Sequence, residues 1–185
     1  KKIRSYIRGG GFLFAMCSAT DSYDIALASE NTDICSHMFD GDKADPDAQK
    51  KLDYNKTLAF KDFKLVTNPN IYEFSSIDAT RTRKVKAEMD FFTLFDFSAK
   101  WDPIPTMLCQ NHTQVIPGFM GQTTAFKNEY IKTDVLIMGE NKSVNEARYI
   151  HGSLGNGTWT FYGGHDPEDY QHKVGDPKTD LSLHP

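Results

Sequence analysis

The chain has 185 residues, enough for one domain with a proper core and too few for two comfortable ones. Apolar residues make up 39% and aromatics 12%, so a core can be built, and the net charge of −4 leaves no basic stripe for a nucleic-acid partner. No apolar run approaches the roughly 20 residues that a membrane-spanning helix needs. Cys17, Cys35 and Cys109 show none of the paired spacings of zinc ribbons or redox dithiols.

In chain order, residues 1–8 read as the last turns of a helix, stopped by Gly9-Gly10-Gly11. Residues 12–16, apolar throughout, read as a short strand buried on both faces, as in parallel sheets. Helical spacing follows over 18–30, with Ala19, Tyr23, Ala26 and Leu27 on one face. Helix, strand, sharp turn, helix is an α/β unit. From 32 to 62 the pattern dissolves into a polar loop insertion; its aspartates start like a calcium loop but lack the later glycine and closing glutamate. Strand-like runs follow at 63–67, 71–74, 91–97 and 135–138. Runs at 147–151 and 158–162 flank Gly152-Ser-Leu-Gly-Asn-Gly157 and predict a β-hairpin. The tail beyond about 175 is polar and irregular.

Two segments carry candidate chemistry. In Ala15-Met16-Cys17-Ser18-Ala19, small residues two places either side of the cysteine suit a tight strand-to-helix elbow that projects a nucleophile. The following helix would aim its positive end at the sulfur, and the Ser18 N–H would serve as an oxyanion donor. A buried structural cysteine closing an apolar strand fits the same residues. Near the end, a strand runs into Gly163-Gly164-His165-Asp166-Pro167-Glu168. There the glycines would expose His165 as a base, with Glu168 or Asp166 orienting its ring. A polar turn whose histidine caps a helix is the alternative.

Lesser candidates are His112, which would line the pocket or make ordinary loop hydrogen bonds, and His151 beside the hairpin turn. Arg148 would neutralise a ligand carboxylate or join an ion pair. His165, His172, Asp166 and Glu168 match no zinc spacing, so no metal and no cofactor is expected.

GGGFLFAMCSATDS resembles the nucleophile-elbow strand of class I glutamine amidotransferases, and GNGTWTFYGGHDPED resembles the Gly-His-Asp ending of the ThuA-like branch of that superfamily. Nearly the whole chain is similar to large bacterial proteins labelled asparagine synthetase B. The resemblance implies a three-layer, flavodoxin-like α/β domain with a mostly parallel sheet. Residues 12–16 would be a central strand, a β-hairpin would close the domain, and further strands would be supplied from upstream of Lys1. It further implies a Cys17–His165–Glu168 triad acting on a carboxamide, with Ser18, Asp166, His112 and Arg148 around the substrate. Two positions depart from the amidotransferase pattern: Ala19 stands for the usual glycine, and two residues separate His165 from Glu168 where one is usual. ThuA-like proteins keep the Gly-His-Asp turn without a catalytic cysteine. A module binding a carbohydrate or small polar metabolite, or a structural subunit of an envelope assembly, is therefore the alternative. Compartment, whether cytoplasm or bacterial periplasm and envelope, and oligomeric state are left open.

Overall fold

The computed structural model describes residues 1–109 and 112–164. Helix α1 (Lys2–Arg8) buries only Ile7 and stops where the Gly10 N–H turns back to the Ile7 carbonyl at 2.9 Å. Gly10 sits at φ 111°, a backbone region that excludes most side chains. Strand β1 (Phe12–Met16) then leads through the elbow into α2 (Ala19–Ala28). Three short helices follow: α3 (His37–Asp40), α4 (Ala48–Lys51) and α5 (Pro103–Leu108). The other strands are β2 (Phe91–Leu94), β3 (Val115–Pro117), β4 (Phe126–Lys127), β5 (Leu136–Asn141), β6 (Glu146–Leu154) and β7 (Gly157–Tyr162).

These strands form one sheet in the order β1-β7-β6-β5-β2-β3, with β4 paired to β6. Only β1 and β7 are parallel; all other pairs are antiparallel, and the sheet curls into a half-barrel. The expectation of a mostly parallel, three-layer flavodoxin-like sheet is thereby overturned. The physical reason lies in the connections. Four residues join β5 to β6 and two join β6 to β7. Such short links permit only antiparallel neighbours, since a parallel pair needs a crossover of a dozen residues or more. Strand β1 is likewise terminal in the sheet, where the resemblance implied a central strand.

The expected hairpin at 147–162 is present, closed by Gly155 and Asn156 between Leu154 and Gly157. Its turn rests on the end of α1. The Asn156 N–H donates to the Arg8 carbonyl and the Thr158 N–H to the Gly11 carbonyl, each at 3.1 Å. A Cβ on Gly157 would collide with the carbonyls of Ile7 and Gly11, so glycine is what lets β7 start this close to the triple-glycine turn. The runs at 63–67 and 71–74 form no strands, only a bridge between Leu65 and Ser75. The Leu65 N–H is taken by the Gln49 side chain, and the Asn68–Pro69 turn shortens the pairing.

One side of the sheet carries the main core. Ala15, Ile150, Trp159 and Phe161 pack there against Ile7 of α1, Ile25 and Ala28 of α2, and Phe60 and Phe63. A smaller cluster of Phe92, Leu94, Met138, Tyr149 and Tyr162, with Cys109 and Ile116, covers part of the other side. On that second side of β1, Phe12, Phe14 and Met16 stay 45%, 43% and 39% exposed. No described helix is long and apolar enough to cross a membrane.

The polar segment 32–62 ends inside the core, and Asp24 is the reason. Its carboxylate accepts the backbone N–H groups of Leu58, Ala59 and Phe60 at 2.6, 2.7 and 2.8 Å. Burial pushes this carboxyl up to about 6 against the pull of those three donors. Replacing Asp24 by Ala orphans all three N–H groups. The expected loss of unfolding free energy in urea titrations is about 3 kcal/mol, and a loss below about 1 kcal/mol would remove Asp24 as the anchor of this segment.

Candidate functional site

Cys17 occupies the elbow between β1 and α2 with φ 54°, a left-handed conformation that costs a non-glycine residue energy. Three contacts hold it there. Its N–H donates to the Tyr162 carbonyl at 3.1 Å, extending the β1–β7 ladder by one residue. Its carbonyl accepts the Thr20 hydroxyl at 2.6 Å and the Thr20 N–H at 3.1 Å. The thiol, partly accessible, donates to the Gln122 carbonyl at 3.1 Å. Ala15 is buried beneath the elbow, as the steric reading of the sequence anticipates. Ser18 follows as the N-cap of α2, and its side chain makes no capping bond to the first turn.

Strand β7 runs parallel to β1, so the two strands end side by side, Met16 opposite Tyr162. Gly163 follows, its N–H on the Arg148 carbonyl at 2.6 Å. A Cβ there would press to 2.8 Å from the Thr124 carbonyl, so a side chain would displace the strand's exit. His165, Asp166 and Glu168 come next in the chain and lie outside the described residues.

Other expected site residues stand elsewhere. His112 is exposed just before β3, at the opposite end of the sheet path from β1. Arg148 is fully buried: its guanidinium reaches Asp90 at 2.7 and 3.1 Å and Glu146 at 3.0 Å. Arg83 joins the same group, 3.4 Å from Asp90 and 3.9 Å from Glu146. Four ionised groups in the core offset one another's desolvation only as a set. Burial, followed by the charge of Arg148, lowers the Arg83 pKa, while burial raises that of Glu146. His151 is buried with Nδ1 2.9 Å from the Thr160 hydroxyl, and burial lowers its pKa, favouring the neutral ring.

A second group, unanticipated from the sequence, sits behind the elbow. Asp21 is fully buried in the first turn of α2, and neither carboxyl oxygen makes a hydrogen bond among the described residues. Burial and then the nearby Asp78 carboxylate push it up to about 7. Asp78 is well satisfied, accepting from the Thr80 N–H at 2.8 Å, the Thr80 hydroxyl at 2.6 Å and the Thr123 N–H at 2.8 Å. The 121–124 turn thus touches both features: Thr123, at φ 52°, is held by Asp78, and Gln122 receives the Cys17 thiol. The signal for this group was spacing. Asp21, Asp24, Ile25 and Ala28 fall at i, i+3, i+4 and i+7, the pattern of a buried stripe.

Cys109 is fully buried, which pushes its pKa up to about 12. A hydrogen bond to Asp40 raises that of Cys35. Asp33, Asp40 and Asp42 cluster on the surface near it, while Asp45 is taken by Thr32 and Lys51, and Asp47 by Lys50.

Asp21 makes stability depend on pH with a definite sign. Its folded pKa, about 7, lies above the ordinary carboxyl value of 3.8, so the folded state holds the proton more tightly than the unfolded chain. This contribution is full below pH 3.8, declines as pH rises toward 7 and is gone above it. The slope is roughly 1.4 kcal/mol per pH unit at most. Asp21→Asn removes this contribution. In urea titrations the variant should gain on the wild type steadily between pH 4.5 and 7, about 1 kcal/mol or more in all. A constant difference across that range would show that Asp21 does not carry the proton.

No family model matches this chain, and no curated protein and no solved structure matches it either, so the site is read from its own geometry.

Proposed function

We propose that the protein is a cysteine-dependent hydrolase acting on a carboxamide or related acyl substrate. In this reading Cys17 is the nucleophile, His165 the base and Glu168 the residue that orients it, with Asp166 beside them. One observation carries the reading. The parallel β1–β7 pair ends with the Cys17 N–H on the Tyr162 carbonyl, three residues before His165 in the sequence, so the elbow and the Gly163-Gly164 exit of β7 leave the sheet at the same place. In open α/β sheets reactive groups gather at the carboxyl ends of parallel strands, and β1–β7 is the one parallel pair among the described strands. The strained φ of Cys17 and its place ahead of a ten-residue helix support the same role.

In the resting state the thiol proton is directed at the Gln122 carbonyl. His165 takes that proton as sulfur attacks the substrate carbonyl, and a C–S bond forms. The negative oxygen is stabilised by the Ser18 N–H and the positive end of α2. Collapse breaks the C–N bond, and His165 returns the proton to the departing amine or ammonia. Water, deprotonated by the same imidazole, then cleaves the thioester and frees the acid and the thiol.

Ammonia release from a panel of carboxamides, glutamine and asparagine included, tests this directly. Cys17→Ser should abolish turnover while the circular-dichroism spectrum and urea midpoint stay close to wild type. His165→Gln should lower kcat by roughly 100-fold or more. Turnover that survives Cys17→Ser sinks the thiol mechanism.

A further inference from the structure

We infer that the substrate of Cys17 carries an apolar acyl chain, and that the chain lies in the groove along α2. The inference rests on the reading of Cys17 as nucleophile. The groove has a volume of about 510 Å³, within the range of small-ligand sites. One wall is the flank of α2 formed by Ser22, Ile25, Ala26 and Ser29; the other comes from residues 65–69, 71, 73 and 74, and Ile34 also lines the groove. Leu65, Ile71 and Phe74 make the facing wall largely apolar. Glu73 is its single charged residue, buried and 3.7 Å from the Arg81 guanidinium.

Two features join this groove to the elbow. The α2 stripe runs at i, i+3, i+4 and i+7 from Ser22, and one turn earlier the same stripe begins at Ser18, next to Cys17. Gln122 links the two: its backbone carbonyl accepts the Cys17 thiol, and its side-chain amide donates to the carbonyl of Tyr72, which stands in the chain between the lining residues Ile71 and Glu73. A chain bound along the groove would therefore present its carbonyl end toward the sulfur. Burying successive methylenes against Ile25, Ile71 and Phe74 supplies affinity that grows with chain length. A short polar acyl group would leave the groove unused. The occupant is thus a linear aliphatic acyl group, with the scissile bond at its head.

The probe is a series of p-nitrophenyl esters from acetate to decanoate. Sulfur attack forms the Cys17 thioester, and p-nitrophenolate leaves with the bonding electrons of the C–O bond. Intact mass and peptide mapping follow the acyl adduct and separate Cys17 from Cys35, which also lines the groove. The rate of Cys17 acylation should rise at least about 10-fold from acetate to octanoate. In Ala26→Trp, which fills the groove, the octanoate-to-acetate ratio should fall to about 1. In parallel, decanoate binding to Cys17→Ser is followed by calorimetry. Acylation that is indifferent to chain length, or decanoate that fails to bind Cys17→Ser, overturns the groove assignment. If decanoate binds in an Ala26→Trp-sensitive way but no ester acylates Cys17, the nucleophile reading falls and the apolar-chain site stands.

Discussion

The parallel pairing of β1 with β7 is the constraint on which the rest of the molecule depends. Every other neighbouring pair in the sheet is antiparallel, and a hairpin connection suffices for β5–β6 and β6–β7. The β1–β7 pair joins the two most distant parts of the chain among these strands, and it does so along five consecutive residue pairs. The triple-glycine turn makes that approach feasible, because β7 begins against the carbonyls of Ile7 and Gly11 where no Cβ would fit. At the far end the same register sets Cys17 beside the exit of β7. One pairing therefore both ties the start of the chain into the sheet and sets the elbow beside the exit of β7.

Local features were legible in the sequence wherever local chemistry decides them. The first helix, the apolar strand, the elbow and the Gly-rich hairpin each depend on residues within a few positions of one another, and each is found. The sheet's polarity was not legible. An apolar run such as residues 12–16 suits a central parallel strand and an edge strand alike, and here Phe12, Phe14 and Met16 remain half exposed. The face of α2 was also misassigned. Counting apolar residues selected Ala19, Tyr23, Ala26 and Leu27, whereas the buried residues are Thr20, Asp21, Asp24, Ile25 and Ala28. The aspartates broke the apolar count because Asp24 is balanced by partners 34 to 36 residues along the chain, while burial pushes the Asp21 carboxyl up toward its neutral form. Arg148 was similarly opaque, since its partners Asp90 and Glu146 become visible only once β6 lies in the sheet.

Buried charge divides the structure into two kinds of polar centre. The Arg83, Arg148, Asp90 and Glu146 group is reciprocal, with each charge facing one of opposite sign, so its role is to orient β6 against the loop before β2 and the 119–124 segment. The Asp21 and Asp78 pair is not reciprocal: two carboxyls of the same sign share a buried site, and one of them keeps its proton toward neutral pH. Such imbalance is a common mark of functional surroundings. Its place beneath the turn that receives the Cys17 thiol ties it to the elbow, and the apolar groove opens from the same helix.

The comparative reactivity of the three thiols in the native protein tests the central claim most directly. Alkylation with a small excess of iodoacetamide at pH 7, quenched over time and mapped by mass spectrometry, reads each cysteine separately. Cys109 is shielded by burial, and Cys35 is surrounded by Asp33, Asp40 and Asp42, which disfavour its thiolate. The account predicts that Cys17 is modified first, at least about 10-fold faster than Cys35, and that His165→Gln slows it. Labelling of Cys17 only after denaturation, or no faster than that of Cys35, would contradict the account.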